Sequence, residues 1–154
     1  LLVWSKSQME AFKPVFAKVF IFETIEEVLE LLKLNIAAQQ LSIAISVDKA
    51  CSVKTDEQFL KVILRNILHN AIKASSRNTA VTIAFQNNTL YITNKGVAFT
   101  QNDYESALRD TKNRSLSAGL GLKLIDELCT KIHLSITYHN DNPESTTVQL
   151  QFMT

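Results

Sequence analysis

Three polar residues, Asn66, Asn70 and Lys73, recur four and three positions apart in a mostly apolar stretch of the chain. If that stretch is helical, at about 100° per residue, the three side chains fall within an arc of about 60° on one helix face. Two carboxamide oxygens can bind Mg²⁺ or its water molecules, and an ammonium group beside them can neutralise phosphate oxygens. The spacing therefore predicts a helix face suited to a metal-bound triphosphate.

Glycine supplies a second candidate feature. The chain has only three glycines, where average usage of about 7% would give roughly eleven. Gly96 follows a predicted strand, and Gly119 and Gly121 form a G-x-G sequence that opens a predicted helix. Glycine permits positive φ and close backbone approach, and the free N–H groups of a helix start attract an anion. We therefore expect these glycines to lie against phosphate groups.

The two features occur in a defined order within residues 56–125: N-x-x-x-N-A-x-K on a helix, a strand ending in N-x-G, and G-L-G-L opening another helix. This order resembles the ATP-binding catalytic (CA) domain of sensor histidine kinases. These kinases are a branch of the GHKL superfamily, which also includes DNA gyrase, mismatch-repair and chaperone ATPases. The stretch RNILHNAIKAS resembles the N box of that family, and AGLGLKLIDEL resembles its second glycine box.

The resemblance implies a fold and a domain division. The fold is α+β, a two-layer α/β sandwich of the Bergerat type, in which about three helices pack on one face of a mixed sheet. Because LLVWSKSQM resembles the end of the helical domain that precedes CA domains, residues 1–12 are interpreted as the tail of a dimerisation and phosphoacceptor domain. Residues 15–154 are then the ATP-binding catalytic domain.

The resemblance also implies roles for individual residues, with ATP and Mg²⁺ as the cofactors. Asn70 matches the magnesium-binding asparagine of the family. Asn66 and Lys73 match the flanking N-box residues that contact metal-bound water and phosphate, and these three residues are the expected catalytic set. The expected nucleotide contacts are Asn66, Asn70, Lys73, Asn94, Gly96, Ala98, Gly119, Leu120, Gly121 and Leu122.

The first glycine box departs from the family pattern at two positions. The family sequence D-x-G-x-G-I aligns with residues 94–99, so that Asn94 replaces an aspartate and Ala98 replaces a glycine. The family aspartate accepts a hydrogen bond from the adenine amino group. The Asn94 carbonyl can also accept this bond, but without the negative charge that strengthens it. We therefore expect adenine recognition to be retained in weakened form.

Asn66 bears on the type of reaction. In the hydrolytic branches of the superfamily, a glutamate four residues before the metal asparagine activates water, and an amide at that position cannot act as a general base. The sequence therefore favours transfer of the γ-phosphoryl group to an external acceptor. The acceptor histidine of the family lies on the preceding helical domain, so this fragment is not expected to phosphorylate itself there. His69, between the two asparagines, is interpreted as a non-catalytic residue of the helix surface.

Composition disfavours nucleic acids and membranes as partners. Sixteen basic and fifteen acidic residues give a net charge of +1 without a basic cluster, which disfavours nucleic-acid and direct membrane binding. Apolar runs such as LSIAISV are far shorter than a membrane span, and Cys51 and Cys129 are expected to be reduced thiols of a cytoplasmic domain. Any membrane anchor of the parent protein would lie elsewhere. The expected partners are ATP, the phosphoacceptor domain of the same protein and a response regulator, and the parent is expected to be a homodimer.

Hydrophobic periodicity predicts the elements that must position these residues. A helix over 25–39 is predicted to start at a capping box formed by Thr24 and Glu27, and the N-box helix is predicted to run from caps at Thr55 and Asp56 to about Ser75. An Asn87-Asn88 turn is predicted to join a hairpin. Further strands are predicted at 18–22, at 41–47, near 52–53 and on both sides of Pro143. A polar lid is predicted over 100–118, followed by a helix from about Gly119 to Lys131.

The function expected from the sequence is the ATP-binding catalytic domain of a two-component sensor histidine kinase, which transfers the γ-phosphoryl group to a histidine on a separate helical domain. Two alternatives remain open. The first is a degenerate, non-catalytic domain of the same fold that acts as a scaffold or binds a response regulator; the altered glycine boxes favour it and the intact N box opposes it. The second is a serine kinase of the anti-sigma type, which the helical segment at residues 1–12 opposes.

Overall fold

The computed structural model describes residues 13–109 and 116–153, with the backbone alone for residues 116–120. The helical tail predicted for residues 1–12 therefore lies outside the described residues, as does part of the predicted lid. The strands are β1 (Ala17–Phe20), β2 (Ser42–Ser46), β3 (Ser52–Thr55), β4 (Ala80–Gln86), β5 (Thr89–Lys95), β6 (Leu134–His139) and β7 (Ser145–Phe152). The helices are α1 (Ile21–Leu31), α2 (Lys33–Ala38), α3 (Glu57–Ala74), α4 (Gln101–Arg109) and α5 (Leu116–Lys131).

A five-stranded mixed sheet forms one layer, with the strand order β2-β4-β5-β7-β6. Strands β2 and β4 run parallel, and the other neighbouring pairs are antiparallel. Along β5, Leu90, Ile92 and Asn94 are buried while Tyr91 and Thr93 are only partly so. Because successive side chains of a strand point to opposite faces, the helices cover one face of this sheet. The predicted two-layer α/β fold with a mixed sheet is confirmed. Strands β1 and β3 form a separate antiparallel pair.

Helix α3 lies at the centre of the molecule and packs against α1, α5 and β5. The Asp56 carboxylate caps its start, accepting hydrogen bonds from the Phe59 N–H at 2.9 Å and from the Val15 N–H at 2.7 Å. Nine side chains of the helix are buried, and Asn66 is the polar one among them. The predicted cap at Asp56 and the predicted span of this helix are confirmed, whereas the cap predicted at Thr55 is wrong, because Thr55 ends β3 and its hydroxyl has no hydrogen-bond partner among the described residues. A side chain on its inner face is therefore held by the hydrophobic core.

The predicted β-hairpin is also confirmed. Asn87 and Asn88 join β4 to β5 with φ values of 52° and 56°. Two consecutive residues with positive φ match the twist of the strands that they connect, and asparagine tolerates this conformation. The hairpin fixes the register of β5 and therefore the position of Asn94 near its end.

The capping box predicted at Thr24 and Glu27 is wrong. Helix α1 follows β1 directly and begins at Ile21, so Thr24 lies inside the helix, where its hydroxyl donates to the Phe20 carbonyl at 2.9 Å. The N-cap residue, Phe20, makes no side-chain capping bond. The predicted helix over 25–39 is also divided at Leu32, which separates α1 from α2.

Candidate functional site

Helix α3 positions the two asparagines that the sequence analysis singled out. Asn66 is 9% exposed, and its side-chain N–H group donates to the Val62 carbonyl at 2.8 Å. Its carbonyl oxygen Oδ1 faces Gly121 on α5, because a Cβ atom built on Gly121 would lie 4.0 Å from it. Asn70, one turn later, is exposed. The helix thus presents one fixed amide oxygen and one solvent-accessible amide along the same line.

A cavity of about 210 Å³ lies between α3, the sheet and α5. Five of the predicted contact residues line it, namely Asn66, Asn70, Asn94, Gly121 and Leu122. The other lining residues are Ile67, Ala71, Ala74, Phe99, Tyr138, Thr146 and Val148. The wall is therefore mostly apolar, with the amides of three asparagines and the hydroxyl-bearing residues Thr146 and Tyr138, which is the usual make-up of a small-molecule site.

The buried end of the cavity carries two polar side chains from paired strands. Asn94 on β5 lies directly opposite Thr146 on β7, and the two residues are 3% and 4% exposed. The Thr146 hydroxyl oxygen accepts hydrogen bonds from the Phe99 N–H at 2.8 Å and from the Asn140 side-chain N–H group at 3.3 Å. The Asn94 nitrogen Nδ2 is buried and has no hydrogen-bond partner among the described residues. A buried amide donor without an acceptor is costly, so a ligand atom is expected to satisfy it.

Aromatic rings close one side of the cavity and connect it to α4. The rings of Phe99 and Tyr138 meet edge to face at 5.2 Å between centroids, and Tyr104 of α4 lies 4.8 Å from Tyr138. The Tyr104 hydroxyl donates to Asp126 of α5 at 3.3 Å, and burial raises the pKa of both tyrosines. Gln101 accepts a hydrogen bond from the Tyr138 N–H at 2.8 Å. Within the predicted lid, Gln101–Arg109 therefore form a helix packed against the cavity wall, and residues 116–118 belong to α5.

Gly96 lies outside this cavity and has a different geometric reason to be glycine. A Cβ atom on Gly96 would overlap the carbonyl oxygen of Ala74 at the end of α3. The expected positive φ at Gly96 is wrong, since no described glycine has one. The glycine instead allows the end of β5 to pass the end of α3, while its N–H group donates to the Glu144 carbonyl at 2.9 Å.

The other predicted residues are distributed around the cavity. Lys73 is exposed and is not among the described lining residues. Ala98 is half-buried, and its N–H group donates to the Pro143 carbonyl at 3.0 Å. Gly119 and Leu120 belong to α5, and their contacts lie outside the description. Ala98 is therefore held by the loop before β7, and Lys73 lies on the outer side of α3.

The second glycine box lies within a helix. Helix α5 begins at Leu116, three residues before the predicted start. The free N–H groups of a helix belong to its first four residues, which here are 116–119. Gly121 follows them, so what it contributes to the cavity is open space beside Asn66.

His69 lies beside the site on the surface of α3. It is half-buried and is not among the described lining residues. Burial lowers the pKa of its imidazole, and the positive charges of Lys73 and Arg65 lower it further. The imidazole is therefore neutral at pH 7.

Sequence reasoning missed Thr146 and Tyr138 as cavity residues. Thr146 lies on β7, which pairs with the distant strand β5. Tyr138 lies on β6, which is joined to the rest of the sheet through its pairing with β7. Their neighbours in sequence carry no motif that would distinguish them. The only available signal was the alternation of the two C-terminal strands, which predicts a face but not a partner.

Comparison with known proteins identifies the family. The sequence matches the family described as histidine kinase-, DNA gyrase B- and HSP90-like ATPase over residues 55–154. The chain belongs to this ATPase family. The matched region of this ATPase domain contains every described residue that lines the cavity. No curated protein matches the sequence closely.

Solved structures share the fold of this ATPase domain at low sequence identity. The mycobacterial sensor histidine kinase MprB has a TM-score of 0.75 and 20% identity, covering 90% of this chain and 100% of that one. The catalytic domain of histidine kinase ThkA has a TM-score of 0.72 and 19% identity, and the match covers 89% of this chain and 95% of that one. Full-length ShkA in complex with AMPPNP has a TM-score of 0.76 and 18% identity, and the match covers 94% of this chain and 32% of that one. The family match supports an ATP-binding domain, and the solved structures share its fold. Within the described part of the chain, no helix is long and apolar enough to cross a membrane.

Proposed function

We propose that this chain is the ATP-binding catalytic domain of a sensor histidine kinase, which transfers the γ-phosphoryl group of Mg²⁺–ATP to a histidine on a separate helical domain of the same protein. The observation that carries the proposal is one cavity in which Asn66 and Asn70 of α3 meet Asn94 of β5 and Gly121 of α5. These residues come from three separate segments. The proposal is thus supported in two ways, by the order of the motifs in the sequence and by the position of their residues around one cavity.

The size and polarity of the cavity suit a nucleotide bound with its base inward. A volume of about 210 Å³ is below the roughly 300–1,000 Å³ of sites that enclose a whole drug-sized ligand. The buried Asn94 and Thr146 can hydrogen-bond a base, and Leu122 and Val148 can contact its faces. The triphosphate would then leave the cavity past the exposed Asn70.

The donor set also suits a magnesium ion. Mg²⁺ prefers oxygen ligands and keeps several water molecules, and the amide oxygens of Asn66 and Asn70 lie one turn apart at the side where phosphates would emerge. A bound Mg²⁺ would neutralise phosphate charge and hold the γ-phosphoryl group in position. Asn70 would bind the ion or its water, as the sequence predicts, and Lys73 could reach the phosphates only from the exposed side of α3.

The described lining residues of the cavity include no group that could activate water. Among its described lining residues none has a carboxylate or an imidazole, and the side-chain N–H group of Asn66 is already bonded to the Val62 carbonyl. An amide cannot accept a proton from water at neutral pH. Transfer to an external nucleophile is therefore favoured over ATP hydrolysis.

The same property favours histidine over serine as the acceptor. A neutral imidazole nitrogen has a free electron pair and can attack phosphorus without first losing a proton, whereas a serine hydroxyl needs a general base. As the nitrogen–phosphorus bond forms, the bond from phosphorus to the bridging oxygen breaks and ADP leaves. The described lining residues supply no base, which argues against the serine-kinase alternative.

Nucleotide binding is tested by thermal and urea unfolding with a non-hydrolysable ATP analogue and Mg²⁺. At a hundredfold excess over the dissociation constant, the ligand should raise the free energy of unfolding by about 2.7 kcal/mol. Asn70→Ala should remove most of the magnesium-dependent part of this gain. Asn35→Ala, which removes an exposed helix amide outside the cavity, is the matched control and should leave the gain unchanged. If saturating ligand stabilises neither the wild type nor the control, the scaffold alternative is favoured.

Phosphoryl transfer is tested on the full-length protein that contains this domain. After incubation with γ-labelled ATP, the label on the protein should be lost in acid and retained in alkali, which is the behaviour of phosphohistidine. A label that resists acid and is lost in alkali would indicate phosphoserine and support the serine-kinase alternative. Nucleotide binding without any labelled protein would leave the non-catalytic alternative as the better account.

A further inference from the structure

At the end of the cavity where the base would bind, the polar side chain of Asn94 bears on which base is accepted. Asn94 is 3% exposed, lines the cavity and has an Nδ2 donor without a partner among the described residues. Next to it, the Thr146 oxygen already accepts two hydrogen bonds, from Phe99 and Asn140. The hydroxyl hydrogen of Thr146 is therefore available as a second donor at the same wall. A ligand at this end of the cavity meets two donors and one amide oxygen.

A carboxamide and a carboxylate select bases differently. A carboxylate offers only acceptors, so it pairs with the 6-amino group of adenine and repels the 6-oxo group of guanine or hypoxanthine. A carboxamide carries a donor beside an acceptor. With its oxygen toward the amino group it matches the N6–H and N1 of adenine, and after a half-turn of the terminal torsion it matches the O6 and N1–H of a 6-oxopurine. The two arrangements have the same number of hydrogen bonds.

We propose that Asn94 makes this site tolerant of the purine 6-substituent, so that 6-oxopurine nucleotides bind about as well as adenine nucleotides. The inference rests on the proposed function, since it concerns the base of the nucleotide bound there. The unpartnered Nδ2 group is the observation that supports it, because the O6 atom of a 6-oxopurine would accept its hydrogen bond. The remaining wall adds little discrimination at this position, since the Thr146 hydroxyl can donate to N1 of adenine or to O6.

The test is isothermal titration calorimetry of the whole chain with ADP, IDP and GDP in the presence of Mg²⁺. Diphosphates avoid turnover, and IDP differs from ADP at the 6-substituent and the N1 proton without the added 2-amino group of GDP. The wild-type dissociation constant for IDP should lie within about tenfold of that for ADP. Asn94→Asp should raise the ratio of IDP to ADP dissociation constants by at least about tenfold, because a buried acceptor would then oppose O6.

The matched control is Asn87→Asp, which makes the same change of charge at an exposed hairpin residue. This position lies about 20 Å from Asn94 along β5, and its positive φ is one that aspartate tolerates. The control should leave the ratio unchanged. Should Asn94→Asp fail to fold, the wild-type ratio alone decides the inference.

The outcomes separate the inference from the proposed function. Tight ADP binding with IDP more than about tenfold weaker in the wild type, or an unchanged ratio in folded Asn94→Asp, overturns the tolerance of the 6-substituent but not the proposed nucleotide site. If none of the three diphosphates binds the wild type, both the inference and the proposed nucleotide site are overturned. Comparable binding of ADP and IDP, made selective by Asn94→Asp, supports both.

Discussion

Gly121→Ala separates the structural requirement for this glycine from its requirement in nucleotide binding. Gly121 lies inside α5, and the nearest heavy atom that a new Cβ would meet is Asn66 Oδ1 at 4.0 Å, an ordinary contact distance. Alanine is favoured over glycine in a helix interior by about 0.8–1.0 kcal/mol. In the ligand-free protein the substitution therefore adds helix stability without steric overlap.

We expect the free energy of unfolding to rise by about 0.5–1 kcal/mol, which for a domain of this size is an increase of about 1–4 °C in Tm. The same methyl group projects into the cavity beside the Asn66 oxygen. Crowding a packed contact by one methyl costs about 1–3 kcal/mol, so the affinity for Mg²⁺–ADP should fall by at least about fivefold. Stability and affinity should thus change in opposite directions.

Urea unfolding followed by circular dichroism gives the stability, and isothermal titration calorimetry gives the affinity. Gly96→Ala is the control, because its Cβ would overlap the Ala74 carbonyl oxygen away from the cavity. This control should lose at least about 2 kcal/mol of stability. A Gly121→Ala protein that is destabilised like the control, or that binds ADP as tightly as the wild type does, would refute this expectation.

Three further predictions concern the cavity wall and the core. Tyr104→Phe removes the hydrogen bond to Asp126 and should cost about 1 kcal/mol of unfolding free energy in urea; an unchanged midpoint would contradict it. Because burial raises the pKa of Cys129 from 9.0 to about 12, its contribution to stability is complete below pH 9 and is lost as the pH rises toward 12; urea midpoints that do not fall between pH 8 and pH 11 would count against it. In the native state Cys129 is buried and Cys51 only partly so, so a thiol reagent should label Cys51 first and Cys129 only on unfolding.

Local features of the sequence were sufficient to predict the central helix and the hairpin. Asp56 precedes an apolar run at helical spacing, and Asn87-Asn88 is a turn sequence that tolerates positive φ. Both predictions depend on residues that are close in sequence. The asparagines of α3 could be placed on one face for the same reason.

Features that depend on distant segments could not be predicted. Thr146 faces Asn94 only because β7 pairs with β5, and residue periodicity does not specify strand partners. The predicted start of α1 is wrong because the N-cap residue is Phe20, whose side chain makes no capping hydrogen bond. Packing rather than local polarity therefore determines where this helix begins. The requirement for glycine at position 96 comes from the Ala74 carbonyl, a neighbour only in space.

The proposed function requires the amides of α3 to hold a divalent cation on a nucleotide whose base lies beside Asn94. The most direct measurement is a crystal structure of the protein with a non-hydrolysable ATP analogue and Mn²⁺ in place of Mg²⁺, with the metal located by its anomalous scattering. We expect one metal peak about 2.1 Å from Asn70 Oδ1 or one water molecule away from it, with the purine in the cavity lined by Asn94 and Thr146. A nucleotide bound elsewhere, or a metal with no direct or water-mediated contact to Asn70, would contradict it.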